Sequence, residues 1–184
     1  MKSYLITDPT FYGTTPDDLE SALDIVYSHK LPDFALFRDK QTPEYIDLAH
    51  TFITLSRQYK IPHVLLHGDY ALADKLKADG VHLTSSQFDE IAEAKKRGLY
   101  VVISTHTHDE AVRAEELGAD AITYSPIFAS PNKGEPKGLE DLKEIVAKIR
   151  VPIFALGGIT TQEQIKAVEE CGAYGFASIR YFIH

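Results

Sequence analysis

The sequence predicts a (β/α)8 barrel, and three observations predict it. Short apolar runs alternate with amphipathic stretches from one end of the chain to the other. Several of the runs are apolar at successive positions, as strands covered on both faces by helices should be. The last third then reads as two strand–loop pairs, VPIFALGGIT and AYGFASIR, each an apolar run that stops at small residues. Gly157 and Gly158 in the first pair carry no Cβ, so an anion can approach their backbone N–H groups. Loops of this form after strands seven and eight of a (β/α)8 barrel make a phosphate site.

The strands are expected at residues 4–6, 34–37, 63–66, 80–83, 100–104, 121–124, 153–156 and 175–179. Between them, residues 16–28 carry Leu19, Leu23 and Val26 on one face, with Asp17, Asp18 and Glu20 in the first turn. Residues 43–59 open with Pro43 at N1 and Thr42 as N-cap. Helices over 71–78, 88–96, 108–117, 139–149 and 162–170 follow, several ending before a glycine (Gly98, Gly118, Gly172). Strict alternation implies parallel strands with right-handed crossovers, and eight such strands close a barrel. An open doubly wound sheet is the lesser alternative, because no glycine fingerprint follows the first strand.

The expected unit is one domain over residues 1–184. Such barrels typically need about 250 residues. The shortfall is explained if the barrel is truncated and lacks its last helix, the sequence running out at His184 just after strand eight. That would bare the outside of strand eight around Phe176, Tyr181 and Phe182, and an uncovered apolar face predicts a homo-oligomer.

A formal charge of −8 argues against nucleic acid and anionic membranes as partners. Cys171 is the single cysteine, so neither an intrachain disulfide nor a cysteine metal motif can be built. The first residues, MKSYLITDPT, hold no signal-like apolar run, and no stretch approaches the ~20 apolar residues of a membrane span. A cytoplasmic protein is expected.

Active sites of such barrels lie at the C-terminal ends of the strands. Those ends carry Asp8, Arg38, Lys40, His67, His82, Ser104, His106, Ser130, Asn132, Lys133, Gly157, Gly158, Ser178 and Arg180. The cations are enough to neutralise one or two phosphate groups despite the acidic whole. The segment 126–137, PIFASPNKGEPK, is polar and rich in Pro and Gly, as binding loops are.

These motifs in this order resemble the thiamin phosphate synthase/TenI superfamily over nearly the whole chain: YLITD, LFRDK, ADGVHL, VISTHTHDEAVRAEELGADAITYSPIF, GLEDL after the Lys-bearing loop, and PIFALGGIT. The resemblance implies a (β/α)8 barrel that binds a thiazole phosphate. Synthases of the superfamily join hydroxymethylpyrimidine diphosphate to thiazole phosphate with Mg2+ and release pyrophosphate. TenI-like members isomerise a thiazole by proton transfer or have no settled activity. Arg38 and Lys40 match pyrophosphate contacts, Ser104 the serine after strand five, Ser130-Pro131-Asn132-Lys133 the usual Thr-x-Thr-Lys, and Gly157-Gly158 the phosphate glycines.

The match departs from the synthase in one direction. Leu36 replaces a glutamine, His67-Gly68 stand where Asn-Asp is usual, and Gln87 takes the place of a second aspartate. Both magnesium carboxylates are therefore missing, and Mg2+ is a hard cation that takes oxygen ligands, usually with one or two carboxylates among them. Asp69 and Asp89 are the nearby candidates to replace them. Near strand eight, Arg180 stands where a serine is common; a long cation there binds phosphate or fills the pocket.

The resulting expectation is a TenI-like, metal-independent proton-transfer enzyme. It would need no cofactor and take a small phosphorylated substrate. His67 is the acid/base candidate, because imidazole titrates near neutral pH. The TenI histidine after strand six matches Pro126 and cannot serve. His82 and His106 read as structural, and Asp8 as a turn cap. The alternatives are a synthase that rebuilds its Mg2+ site, and a non-catalytic phosphate-ligand-binding or regulatory barrel.

Overall fold

A computed structural model describes residues 1–183, and His184, where the expected truncation falls, lies outside them. The eight strands are β1 (Lys2–Ile6), β2 (Phe34–Phe37), β3 (His63–His67), β4 (Gly80–Leu83), β5 (Tyr100–Thr105), β6 (Ala121–Tyr124), β7 (Ile153–Leu156) and β8 (Gly175–Ser178). All neighbours pair in parallel, and β8 pairs with β1 to close the barrel. Helix α1 (Pro9–Tyr12) sits in the loop after β1. The crossover helices are α2 (Pro16–His29), α3 (Tyr45–Gln58), α4 (Tyr70–Lys75), α5 (Ile91–Lys96), α6 (His108–Glu116), α7 (Gly138–Lys148) and α8 (Gln162–Glu170).

The barrel interior changes character along its axis. Near the N-terminal ends of the strands it is aromatic: Tyr4, Phe34 and Phe154 pack with ring centroids 4.9–5.6 Å apart, and His63 stacks on Phe34 at 4.2 Å. These rings fill the lower half as a packed core rather than a pore. Toward the C-terminal ends the inward positions become His67, His82, Ser104 and Thr123. Period-two alternation along each strand produces this division, and the polar half is where the site must be.

Three aspartates staple the lower rim by one repeated device. Asp33, Asp79 and Asp120 each precede an even-numbered strand. Each accepts the backbone N–H of the preceding odd strand (Ser3 at 2.9 Å, Val64 at 2.8 Å, Val101 at 2.8 Å) and donates its own N–H to the same residue's carbonyl. Asp79 also takes Arg57 at 2.6 Å, and Asp120 takes Lys95 at 2.7 Å. The Ala-Asp of ADGVHL and GADAITY is thus a stability element on the face opposite the site.

The structure corrects four expectations. Thr42 does not cap the helix after β2. The Asp39 carboxylate takes the N–H groups of Gln41 and Thr42 and the Thr42 hydroxyl, so α3 starts later, with Glu44 as N-cap. The helix expected over 71–78 is shorter, Tyr70–Lys75, because Lys77 takes positive φ. The helix expected over 88–96 begins as a 3-10 turn, Phe88–Glu90. The outside of β8 is not bare: among the described residues the chain after β8 is a 3-10 turn, Arg180–Ile183, folded back over it. Phe176 and Phe182 stack 6.2 Å apart and are 4% and 5% exposed. Lys30 donates to the Tyr181 carbonyl at 2.7 Å and lies over its ring. The apolar face from which a homo-oligomer was expected is covered by the chain itself.

Candidate functional site

The segments that follow the strands build the mouth of the barrel. Arg38 leaves β2 half-buried, its N–H fixed on the Thr7 hydroxyl at 2.9 Å. Lys40 follows two residues later. Burial, then Arg38, then Lys133 push the Lys40 ammonium below its usual range. This places Lys133, on the loop after β6, within electrostatic reach of the β2 loop. Asp39 sits between the two cations in sequence but forms an ion pair with neither, its oxygens being turned to the Gln41–Thr42 turn. Among the described residues, Arg38, Lys40, Lys133 and Arg180 have no carboxylate partner. Three cations within electrostatic reach and without a carboxylate partner give this part of the mouth a positive potential that suits an anion. Arg180 heads the 3-10 turn after β8, and among the described residues no hydrogen bond or ion pair joins it to the other three.

His67 ends β3 half-buried with no hydrogen bond to its ring among the described residues. Burial, Arg38 and Lys40 bring its pKa down to about 4, so the imidazole is neutral at neutral pH. Its ring centroid lies 6.2 Å from that of His82. His82 is 2% exposed, with Nδ1 2.7 Å from the Tyr4 hydroxyl and Nε2 2.9 Å from the Ser104 Oγ. His82 therefore has a structural place, but one wired to the mouth through Ser104. His106 is tied to the carbonyl of Ser125 at 3.1 Å, and Asp8 caps α1 through Thr10, as expected.

The glycine loop after β7 is locked against the loop after β6. Ile127 N–H donates to the Leu156 carbonyl and Phe128 N–H to that of Gly157. Gly157 and Gly158 have φ of +108° and +70°. A Cβ on Gly158 would lie 2.4 Å from the Ala129 carbonyl oxygen. Among the described residues nothing accepts the N–H groups of Gly157 or Gly158, which leaves two donors for an anion. The β6 loop is closed at its base by Lys137 N–H to the Pro126 carbonyl, and Lys133 N–H closes an inner turn on the Ser130 carbonyl with Asn132 at positive φ.

Ser178 does not join this arrangement. Its hydroxyl is buried, donates to the Ile159 carbonyl at 2.7 Å and accepts Tyr181 N–H at 3.1 Å. It holds the 3-10 turn to the glycine loop instead. Sequence reasoning missed Thr123, the register partner of Ser104, whose hydroxyl is fully buried without a hydrogen bond. It also missed the role of Gln87. The Gln87 amide donates to the Gly68 carbonyl at 2.8 Å and to Glu90 at 3.0 Å, and its oxygen accepts Thr84 N–H at 2.8 Å.

The Mg2+ implied by the resemblance does not fit these residues. Gly68 offers no side chain, and the Gln87 amide is spent on tying the loops after β3 and β4 together. Asp69 is the N-cap of α4, accepting Leu72 N–H at 2.9 Å. Asp89 lies exposed in the 3-10 turn. Among the described residues, the three-donor His/carboxylate group close enough for one ion is His108, Asp141 and Glu144. It lies on the outer rim between α6 and α7, where Asp141 already pairs with His108 and the Tyr124 hydroxyl. No helix among these residues is long and apolar enough to cross a membrane.

Comparison with known proteins agrees with this fold. The curated protein named "Putative thiamine-phosphate synthase 2" of Aquifex aeolicus is 38% identical over 188 residues, covering 98% of this chain and 96% of that one. A thiamine-phosphate synthase of Syntrophomonas wolfei is 33% identical over 144 residues, 74% of this chain and 66% of its own length. The solved thiamine phosphate pyrophosphorylase of Pyrococcus furiosus superposes with a TM-score of 0.83 at 26% identity, over 97% of this chain and 85% of that one. Residues 3–182 match the family described as thiamine monophosphate synthase, and the chain belongs to that thiamine monophosphate synthase/TenI family.

Proposed function

We propose that this chain binds a thiazole phosphate at the barrel mouth and acts on it by metal-independent proton transfer. The observation that carries the reading is the Gln87 bridge from Thr84 to Gly68, which stands where two metal carboxylates would be needed. Without a divalent cation, a pyrophosphate leaving group would keep its charge uncompensated. The phosphate half of the site is better supported: two free N–H groups on Gly157 and Gly158, with Lys133 on the adjoining β6 loop, while Arg38 and Lys40 are unpaired cations on the side matching the pyrophosphate contacts.

In this reading His67 moves the proton. Its neutral ring accepts a proton from one atom of the heterocycle and returns it to another, leaving the composition unchanged. Burial is the larger cause of the low His67 pKa, and an anion at Arg38 and Lys40 would offset the smaller, repulsive part and so raise its basicity when substrate is bound. Ser130 and Asn132 frame Lys133 in the β6 loop.

A second reading, a working synthase, is favoured by the names of the relatives across nearly the full chain. Calorimetric titration with thiazole phosphate, pyrimidine diphosphate and thiamin phosphate, each with and without Mg2+, separates the two. Thiazole phosphate binding that is indifferent to Mg2+ is expected. Binding of pyrimidine diphosphate that requires Mg2+, with release of pyrophosphate, would install the synthase reading instead. His67→Gln should keep binding within a few-fold and lose turnover; unchanged turnover would remove His67 from the mechanism.

A further inference from the structure

The chain Tyr4–His82–Ser104 has a direction, and it decides what Ser104 can recognise. Tyr4 is fully buried, and its hydroxyl has one partner, His82 Nδ1, at 2.7 Å. The rings of Phe34 and Phe154 pack beside it, Tyr100 lies within electrostatic reach, and among the described residues no second group hydrogen-bonds to the Tyr4 hydroxyl. The phenol hydrogen therefore goes into the Nδ1 lone pair. Pointing it elsewhere would leave a buried donor unmade, a penalty that disfavours the arrangement roughly five- to hundredfold.

With Nδ1 accepting, the single hydrogen of a neutral imidazole sits on Nε2. His82 is neutral: no carboxylate touches it, and burial, His67 and Arg38 all oppose a charge there. Nε2–H then donates to the Ser104 Oγ at 2.9 Å. Ser104 is half-buried at the upper end of β5, and its own hydrogen has no acceptor among the described residues.

We propose that Tyr4 and His82 are positioning residues that commit Ser104 to donate its hydroxyl hydrogen into the mouth. Ser104 thereby favours ligands presenting an acceptor there, such as a phosphate or carboxylate oxygen, over a ligand amine or N–H, which could use the second Oγ lone pair but would leave the serine hydrogen without an acceptor. The assignment of the ligand as a phosphate rests on the function proposed above; the direction of the chain does not.

The test is a long-range proton–nitrogen correlation spectrum of the whole protein labelled with 15N-histidine, at neutral pH and without ligand, with His82→Gln assigning the resonance. The Nε2–H tautomer is expected. An Nδ1–H tautomer or an imidazolium would overturn the proposal whatever the protein binds. Thiazole phosphate titrated into Ser104→Ala should bind about tenfold more weakly than into the parent. Ser104→Thr, which keeps the hydroxyl, should recover most of that loss. Parent-like affinity in Ser104→Ala would overturn the donor role. A parent that fails to bind thiazole phosphate but shows the Nε2–H tautomer would sink the phosphate reading and leave the direction of Ser104 standing.

Discussion

The side-chain amide of Gln87 reaches across from the loop after β4 and donates to the Gly68 carbonyl at the end of β3, 2.8 Å away. The same side chain accepts Thr84 N–H, so one neutral residue ties two loops at the mouth. Gln87→Ala should cost about 1–3 kcal/mol by leaving half-buried backbone groups without partners. Urea denaturation monitored by circular dichroism reads this directly. A change below about 0.5 kcal/mol would mean that the bridge does not hold the loops.

Ser178 is expected to matter for stability rather than for ligand. Ser178→Ala removes the contact to the Ile159 carbonyl and the acceptor of Tyr181 N–H. A loss of about 1–3 kcal/mol should accompany phosphate affinity within a few-fold of the parent. The opposite pattern, weak binding at full stability, would return Ser178 to the phosphate site.

Gly158→Ala should disturb the site itself. The added Cβ would meet the Ala129 carbonyl oxygen at 2.4 Å, on a backbone whose φ of +70° already disfavours a side chain. The β6 loop must retreat, and thiazole phosphate affinity should fall at least about tenfold, with a stability cost of about 1–3 kcal/mol. Calorimetry on the variant checks both the loop contact and the anion site.

Stability should fall as the solution is acidified from about pH 6.5 toward 4. His67 has a native pKa of about 4, below the ordinary histidine value of 6.5. Between those values the unfolded chain binds the proton and the native state does not, so the native state loses up to about 3 kcal/mol across that window. His82 acts in the same direction. His67→Gln should flatten part of the slope of unfolding free energy against pH; an unchanged slope would remove His67 as its source.

Thr123 offers the reverse case. Its buried hydroxyl has no partner, so Thr123→Val should be neutral or slightly stabilising in the free protein. A loss above about 1 kcal/mol in thermal or chemical unfolding would show that the hydroxyl has a partner after all.

Much of the fold was legible because periodicity is local. The strands β2, β4, β6 and β7 match their expected bounds, and α8 does as well, since apolar runs and flanking glycines report on a few adjacent residues. The start of α3 was not legible. Thr42 has the chemistry of an N-cap, but so does the competing turn that Asp39 builds with it. The aspartate staples were visible as motifs yet not interpretable, because each bonds to a strand 15–30 residues earlier.

By itself, then, the sequence determined a closed parallel barrel, its polar upper rim, and the absence of carboxylates at two matching positions. The barrel and its rim follow from residue type and spacing, which a linear chain displays, and the missing carboxylates follow from the resemblance to the superfamily. Only the tertiary structure decided which rim residues share one space. It joined Arg38, Lys40, Lys133 and His67, withdrew Ser178 into the scaffold, folded the last turn over β8, and brought Tyr4 beneath His82. Such outcomes depend on which hydrogen bonds win once burial removes water as a competing partner, and that competition is settled among residues far apart in the chain.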